Sequence, residues 1–490
     1  MINKLSLLKR ERLIIFFILV VLALLFVVAF SQTTSPVYMT LGGDSSIFRF
    51  IGYTMTKGYR LYVDIFDHKG PVLFFIQYLG QLVHPGRSGA LLMQMIFLST
   101  SLIILYKIGR LFVGKKVSLS LSFIYLLLLS YFYDFGNLSE EFSQVFLLGT
   151  AYIFLYFVLE KIISKRKKNV LLFIAGACLS ALIFIRLNNA FPALAAAGAY
   201  FIYLLTLRPG IKSYINELVY YLLGIFLLSA IVFEYFILTN SLYDMVYATF
   251  IFNFLYSEFN MTSLIALMKT SYFLWAMFGL AVSFVGGVMY YIKSKNLGVL
   301  LIVLFSSLGA FFAVMMAANG YPHYLQLIVP STTLGALLII ITLRNIKIYK
   351  FNFRFVIILS FIVFFSLLSI RAVDTISKRN NFSESAYIAN TVSLVSVIPD
   401  SEKNNVFGCN APASFYIAGK ILPSNRFFTL QDWWSRSDAK IYNEINYMFS
   451  NSPPRWVVVY GSCSRLTTVL GQKYKSVKAS GDINILRLVE

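Results

Sequence analysis

Several acidic side chains of this 490-residue chain stand in polar segments between long apolar runs, close to basic or imidazole side chains. The first segment holds Gly43-Asp44 and, further on, Asp67-His68-Lys69-Gly70-Pro71. A second holds Asn137-Leu138-Ser139-Glu140-Glu141, and later ones hold Arg186 and His323-Tyr324. Carboxylates can accept the proton of an attacking hydroxyl, and cations can stabilise a phosphate as it leaves. These residue types suit the transfer of a group from a phosphate ester.

The composition identifies the surroundings of these residues as a membrane. Apolar residues make up 58% of the chain and charged residues 13%, with a mean hydropathy of +0.74. A soluble domain has roughly 45–50% apolar and about 25% charged residues, so an ordinary soluble enzyme is excluded. The three cysteines and three histidines do not have the spacing of a CxxC or HExxH metal site.

Eleven apolar runs approach the roughly 20 residues that a helix needs to cross a bilayer. We interpret the first as an uncleaved span, because it is longer than the core of a usual signal peptide. The fold class predicted is an α-helical polytopic membrane protein with about 11 transmembrane helices. The runs are residues 13–30, 89–106, 117–133, 142–160, 169–186, 190–206, 217–238, 270–292, 297–317, 324–343 and 354–371.

The cations between these runs predict the orientation of the chain. One alternate set of loops carries 21 Lys and Arg, and the opposite set carries 7. Because cytoplasmic loops are enriched in cations, the N-terminus is predicted in the cytoplasm and the C-terminal segment outside it. The net charge of +21 is then mainly a consequence of topology, so it gives no reason to expect nucleic acid as a partner.

The C-terminal segment differs from the rest in composition. We predict a transmembrane domain over 1–371, with a long first outer loop at 31–88, and a small extracytoplasmic α/β domain over 372–490. Two of its predicted strands each continue into Gly and Cys, at Cys409 and Cys463. Neighbouring parallel strands would bring these thiols to one edge and allow a disulfide, whereas a strand order that separates them would forbid it.

The first outer loop resembles that of the C-type glycosyltransferases, through Gly43-Asp44 and the segment from Gly58 to Pro71. These multispan enzymes use polyprenyl-phosphate sugars and include the protein O-mannosyltransferases and the aminoarabinose transferases of lipid A. Asn137 to Glu141 is similar to the second acidic motif of this family. His323-Tyr324, followed by Pro330, is similar to a late outer-loop pattern in it.

The resemblance implies roles for the first loop. Asp44 is expected to be the catalytic base or the carboxylate that positions the acceptor, and a helix N-cap is the alternative. Lys69, with His68, is expected to bind the donor phosphate; the alternative is an interfacial lysine. Asp67 would orient Lys69 or bind a divalent cation, and the alternative for Asp67 is the role of a turn residue. Asp44 is the other candidate for binding a divalent cation.

The later motifs supply further candidates. Glu140 and Glu141 are adjacent, so on a helix they point about 100° apart and cannot both face one cavity. We assign catalysis to Glu141 and a supporting, helix-capping role to Glu140. Arg186 is expected at the donor phosphate, or else as an interfacial anchor. His323 and Tyr324 are assigned supporting roles, with a place in the wall of the site as the alternative.

The sequence thus predicts a multi-pass glycosyltransferase of the cell membrane. It would move a monosaccharide from a polyprenyl-phosphate donor to an envelope glycan, lipid or protein on the outer face, and a single displacement would invert the anomeric configuration. One alternative is a polymerase or ligase of lipid-linked polysaccharide. The other is a non-catalytic flippase or transporter, although transporters place ionisable groups at the bilayer midplane and contain repeats, which this sequence does not show.

Overall fold

The computed structural model describes residues 2–37, 42–160, 162–256, 261–316, 320–344, 358–359, 361–370, 373, 383–464 and 466–489. The chain divides into two compact units. Unit 1 comprises Met1–Ser31, Leu91–Phe233 and Phe259–Asp374, and unit 2 comprises Gln32–Ala90, Glu234–Glu258 and Thr375–Glu490.

Helices dominate the described residues, as expected where lipid replaces water and every backbone polar group needs an internal partner. In chain order they are α1 (Ile2–Phe30), α2 (Asp44–Thr56), α3 (Pro71–Val83), α4 (Arg87–Phe112), α5 (Lys115–Phe132), α6 (Ser139–Leu159), α7 (Lys165–Ile185), α8 (Phe191–Thr206), α9 (Ile211–Leu238), α10 (Leu242–Val246), α11 (Phe252–Tyr256), α12 (Met261–Met268), α13 (Ser271–Ser294), α14 (Leu297–Met316), α15 (Val329–Arg344), α16 (Phe361–Ile370), α17 (Ser383–Val395), α18 (Ala413–Gly419), α19 (Asp432–Ser437), α20 (Ala439–Asn451) and α21 (Thr467–Lys473). Short 3-10 helices occur at Leu187–Ala190, Pro322–Ile328 and Asp400–Glu402, and a π-helix at Tyr247–Ile251.

Ten helices of the described part of the chain are long and apolar enough to cross a membrane. They correspond to the first ten predicted runs. The eleventh predicted run, 354–371, extends beyond the described residues, and its described portion includes α16. The predicted polytopic helical fold is confirmed. The ten are Arg10–Phe30 within α1, α4, α5, α6, α7, Leu187–Thr206, α9, α13, α14 and Pro322–Arg344.

Small residues allow helices of unit 1 to pack with their backbones in contact. A Cβ added to Gly176 in α7 would lie 1.9 Å from the carbonyl oxygen of Tyr221 in α9. A Cβ added to Gly286 in α13 would lie 2.2 Å from the carbonyl oxygen of Gly335 in α15. Membrane helices use such small residues because close backbone approach increases the packing contact between them.

The C-terminal part of unit 2 contains four strands, which are β1 (Val406–Cys409), β2 (Trp456–Tyr460), β3 (Tyr474–Ser480) and β4 (Ile483–Leu488). They form one sheet, in which the strands lie in the order β1-β2-β4-β3. β1 and β2 are parallel, and the other neighbours are antiparallel. β1 and β2 are the two strands predicted to continue into Gly and Cys, whereas no strand was predicted at β3. This edge strand is mostly exposed and contains a register shift at Ser476/Lys478, so it lacks the apolar alternation by which strands are recognised.

The disulfide that the sequence analysis left open is present in the structure. Cys409 and Cys463 are bonded, with their Cα atoms 6.0 Å apart. β1 and β2 are parallel neighbours, with Cys409 opposite Val459, so the chain brings both thiols to the same edge of the sheet. Asn410 supports this edge by donating a hydrogen bond to the backbone oxygen of Ser462 at 2.7 Å.

Candidate active site

In unit 2, Lys69 lies inside the protein in contact with the two residues that precede it. Its ammonium is 3.7 Å from a carboxylate oxygen of Asp67 and 3.1 Å from Nε2 of His68. The side chains of Lys69 and Asp67 are only 8% and 2% exposed. Lys69 is therefore more enclosed than an interfacial lysine would be, and its positive charge is shielded from water.

A turn held by the Asp67 carboxylate sets this arrangement. The backbone N–H of Lys69 donates to Asp67 Oδ1 at 2.9 Å, a contact typical of an aspartate that closes a turn. Gly70 and Pro71 then begin α3, where a proline is favoured because the missing N–H has no helical partner anyway. Asp67 thus combines the turn role with the predicted orientation of Lys69.

Other parts of unit 2 support the same turn. The hydroxyl of Tyr62, a fully buried residue, donates to the carbonyl oxygen of Lys69 at 2.6 Å. Tyr62 has a φ of +68°, an unfavourable backbone conformation for a bulky residue that costs roughly 1–3 kcal/mol. Asn253 donates to the carbonyl oxygen of His68 at 2.8 Å, so both backbone oxygens of this turn are fixed.

The C-terminal part of unit 2 contributes a buried arginine next to the first loop. Arg426 forms ion pairs with Asp244 at 2.7 Å and with Glu444, and donates to the carbonyl oxygen of Tyr62 at 3.2 Å. Burial lowers the pKa of Arg426, but the two carboxylates outweigh it, so the net shift is upwards. The guanidinium therefore stays charged and connects the first loop to α10 and α20.

Nearer the surface, Asp64 and Arg60 form an ion pair at 3.1 Å. Burial raises the pKa of Asp64, but hydrogen bonds from the side chain and backbone of Arg60 outweigh this effect and bring it below its ordinary value. This pair shapes the loop and takes no part in the group around Lys69.

Asp44 is the first residue of α2, and its side chain is exposed. The N-cap position is Gly43, and no side chain caps the helix. Within the described part of the chain, the Asp44 carboxylate forms no hydrogen bond or ion pair. The capping role given as the alternative is therefore not observed.

In unit 1, Arg186 connects Glu140 with Tyr324. Its guanidinium lies 2.6 Å from Oε1 of Glu140 and donates to the hydroxyl of Tyr324 at 2.9 Å. The guanidinium carbon also lies 4.4 Å from the centre of the Tyr324 ring, a cation–π geometry. Its side chain is 14% exposed, so Arg186 is more enclosed than a simple interfacial anchor.

Glu141 is buried at the start of α6 and is surrounded by hydrogen-bond donors. The backbone N–H of Asn137 donates to Oε2 at 2.8 Å, and the Gln94 amide donates to the same oxygen at 2.9 Å. The hydroxyl of Tyr133 donates to Oε1. The carboxylate thus connects the α6 N-terminus to α4 and to the end of α5.

The contacts of the two glutamates differ from the capping role predicted for Glu140. Glu141 makes the backbone contact typical of a capping residue, whereas Glu140 was expected to cap and instead binds Arg186. The assignment of the cap to Glu140 is corrected for this reason. Both carboxylates are buried, because α6 begins inside unit 1 and packs protein on more than one face.

His323 lies next to this group at the start of a 3-10 helix. Its Nδ1 is 3.1 Å from a carboxylate oxygen of Asp134. The imidazole stacks on Tyr321 and meets the edge of Tyr324, with ring centres 5.6 and 4.5 Å apart. Asp134, His323, Tyr324, Arg186 and Glu140 therefore form a continuous series of contacts within unit 1.

The described residues contain no group of three or more His, Cys, Asp or Glu side chains that could hold a metal ion. Of the two carboxylates proposed for a divalent cation, Asp67 is already in contact with the backbone and ammonium of Lys69. Asp44 offers a single carboxylate. A divalent cation remains a prediction.

Gln94, Tyr133 and Arg426 are among the residues of these groups that sequence reasoning missed. Gln94 and Tyr133 are ordinary members of apolar segments, and only their contact with Glu141 distinguishes them. Arg426 stands between Asn425 and Phe427 in a polar and aromatic stretch that gave no signal. Their partners are 8 to 364 residues away along the chain, which no local pattern could reveal.

The fold of this chain is that of a solved membrane transferase. The structure of ArnT, an aminoarabinose transferase, from Cupriavidus metallidurans bound to undecaprenyl phosphate is 11% identical, with a TM-score of 0.58 and coverage of 98% of each chain. Its apo structure is 10% identical, with a TM-score of 0.57 and 98% of each chain covered. No protein-family model and no curated protein matches this sequence.

An apo oligosaccharyltransferase from Archaeoglobus fulgidus is 13% identical, with a TM-score of 0.48 over 90% of this chain and 69% of that one. This likeness is too low to support a conclusion. The similarity to ArnT confirms the fold expected from the resemblance of the first outer loop.

Proposed function

We propose that this protein is a membrane glycosyltransferase that transfers a monosaccharide from a polyprenyl-phosphate donor to a hydroxyl of an envelope glycan, lipid or protein. The observation that carries the proposal is the buried ammonium of Lys69, held by Asp67 and His68. The chain also shares its fold with ArnT, whose structure contains undecaprenyl phosphate.

A buried ammonium is well suited to a phosphate ligand. At 4 Å and an effective dielectric constant of about 20, two unit charges attract each other by roughly 4 kcal/mol. Asp67 balances the charge of Lys69 in the absence of ligand, and a donor phosphate would add a second, stronger anionic partner. Because the ammonium is already fixed, little reorganisation is needed as negative charge develops on the leaving phosphate.

The proposed reaction is a single displacement. The acceptor oxygen bonds to the anomeric carbon, the bond from that carbon to the phosphate oxygen breaks, and the electron pair leaves with the phosphate. Asp44 accepts the proton of the hydroxyl, a role that suits its exposed carboxylate. The configuration at the anomeric carbon inverts, because attack and departure occur on opposite faces.

Arg186 is a second candidate for contact with a phosphate. Its guanidinium is planar, permanently charged and able to donate two parallel hydrogen bonds. It is already paired with Glu140, so a phosphate would have to share or replace that carboxylate. We therefore propose Arg186 as a supporting residue, with Tyr324 and His323 orienting it.

Binding of undecaprenyl phosphate to the purified protein tests the donor site. Lys69→Ala should weaken binding at least tenfold, because one charge contact in a shielded site is lost. Lys57→Ala is the matched control, since Lys57 is an exposed cation of the same loop and should leave binding unchanged. No binding by the unaltered protein, or equal binding by the Lys69 variant, would overturn the proposed donor site.

Turnover tests the chemistry separately. Mass spectrometry of envelope polymers from cells with and without the protein identifies the sugar, and a labelled polyprenyl-phosphate donor of that sugar then serves as substrate. Asp44→Asn should bind undecaprenyl phosphate normally but lose transfer by at least 100-fold, a size typical of a missing general base. Movement of the intact donor across the membrane without release of sugar would instead indicate a flippase.

A further inference from the structure

Unit 1 contains a cavity whose lining includes none of the candidate site residues. It has a volume of about 510 Å³ and lies where α4 ends, α5 begins and α15 ends. Among the described residues seven line it, two of which are the arginines Arg110 and Arg344, and none of the seven is acidic. A water-accessible space bordered by two permanently charged guanidinium groups has a strongly positive potential, which favours an anionic ligand.

On the α4 side, a hydrogen bond to the backbone holds one of the two arginines. Arg110 donates to the carbonyl oxygen of Val113 at 2.9 Å, which fixes its guanidinium across the α4–α5 turn. Gly114 follows, and a Cβ built there would meet no heavy atom within 4 Å, so the space beside it is open. α5 begins at the next residue, and the positive end of this 18-residue helix adds to the potential of the arginines.

The position and lining of the cavity indicate which anion it takes. Phe112 and Ile341 line it beside the arginines, so apolar and cationic surfaces stand next to each other. α4 and the segment that ends α15 are both long and apolar enough to span the membrane, and the cavity lies at their ends. Headgroup phosphates and the first acyl carbons meet near the ends of membrane-spanning helices, whereas a soluble anion would need no apolar wall.

We propose that this cavity binds the headgroup phosphate of an anionic phospholipid, and that the side chains of Arg110 and Arg344 contact this phosphate. The charge distribution of the loops predicts that these helix ends face the cytoplasm, opposite the proposed donor chemistry. The lipid is therefore a second ligand and not the glycosyl donor. It would neutralise the two arginines and hold the ends of α4, α5 and α15 together.

Native mass spectrometry of the full chain tests this proposal. The protein in detergent is titrated with phosphatidylglycerol or with phosphatidylcholine, and the retained lipids are counted. We expect one phosphatidylglycerol to bind at least tenfold more tightly than phosphatidylcholine. The double variant R110Q/R344Q should lose this preference. The control K165Q/R166Q removes two exposed cations at the start of α7 and should keep it.

Three results would overturn the proposal: no preference for phosphatidylglycerol, equal loss of preference in both double variants, or displacement of the lipid by millimolar inorganic phosphate. The last result would assign the cavity to a soluble phosphate. If R110Q/R344Q is not recovered as a monodisperse protein, R344Q alone replaces it, because Arg344 is an exposed side chain at a helix end. None of these measurements depends on glycosyl transfer.

Discussion

At the scale of single residues, buried charges in this protein are stabilised by specific partners. Lys69 forms an ion pair with Asp67, and Arg186 forms one with Glu140. Among the contacts described, Glu141 accepts hydrogen bonds from uncharged donors only. The distinction matters because removing one member of a buried ion pair leaves an uncompensated charge, which typically costs about 3–5 kcal/mol. Removing a charge that is surrounded by neutral donors leaves no uncompensated charge, so the loss of stability is smaller.

The two adjacent glutamates should therefore respond differently to the same change. Glu140→Gln leaves Arg186 without its counter-ion and should lower the midpoint of thermal unfolding by several degrees. Glu141→Gln keeps a carbonyl oxygen that can still accept from Asn137 and Gln94, so its effect should be about half as large or less. Thermal unfolding of both variants in detergent measures the difference.

A double variant provides the control for this comparison. In E140Q/R186Q both charges are absent, so the combined loss of stability should be clearly smaller than the sum of the two single losses. Strict additivity, or a larger effect of Glu141→Gln than of Glu140→Gln, would contradict the pairing of Glu140 with Arg186.

At the scale of elements, unit 1 depends on helices that approach each other at glycine. α7 and α9 meet at Gly176 and Gly224, each of which would place a Cβ 1.9 Å from a carbonyl oxygen of the facing helix. Because these atoms belong to the backbone, a substituted side chain could not be accommodated by a change of rotamer. The two helices would have to separate.

Gly176→Ala should consequently destabilise the protein, although alanine is the better helix former by about 1 kcal/mol. We expect the thermal midpoint to fall by several degrees. Gly198→Ala in α8 is the matched control, since nothing lies within 4 Å of its added Cβ and the midpoint should stay the same or rise. A Gly176 variant as stable as the Gly198 variant would argue against the α7–α9 contact.

At the scale of the whole molecule, the orientation in the membrane decides where the proposed chemistry occurs. The loop charges predict the N-terminus inside and the C-terminal segment outside. The disulfide between Cys409 and Cys463 supports this orientation, because such bonds persist in oxidising compartments. Closing its loop of 54 residues should stabilise this part of the chain by roughly 4 kcal/mol on the chain-entropy model.

Fusion of a phosphatase that is active only outside the cytoplasm tests the orientation. A fusion after Glu490 should be active, because the C-terminal segment is predicted outside. A truncated chain fused after Lys165, in a loop predicted to be cytoplasmic, should be inactive. A well-expressed but inactive fusion at Glu490 would reverse the topology, and the proposed donor site would then face the cytoplasm.

Much of this architecture follows from the sequence alone. Hydropathy predicted ten spans that are observed among the described residues, because each helix in lipid must be apolar along its own length. The ends of β1 and β2 in glycine and cysteine allowed a disulfide, and the strand order confirmed it. The turn at Asp67 also rests on adjacent residues.

The partners of the buried charges could be decided only by the tertiary structure. Arg186 meets Glu140 and Tyr324, which are 46 and 138 positions away, and Arg426 meets the carbonyl of Tyr62 at a separation of 364. Helical spacing showed that Glu140 and Glu141 point in different directions, but not what each would meet. A side chain's direction follows from its own helix, whereas its contacts depend on how distant helices pack around it.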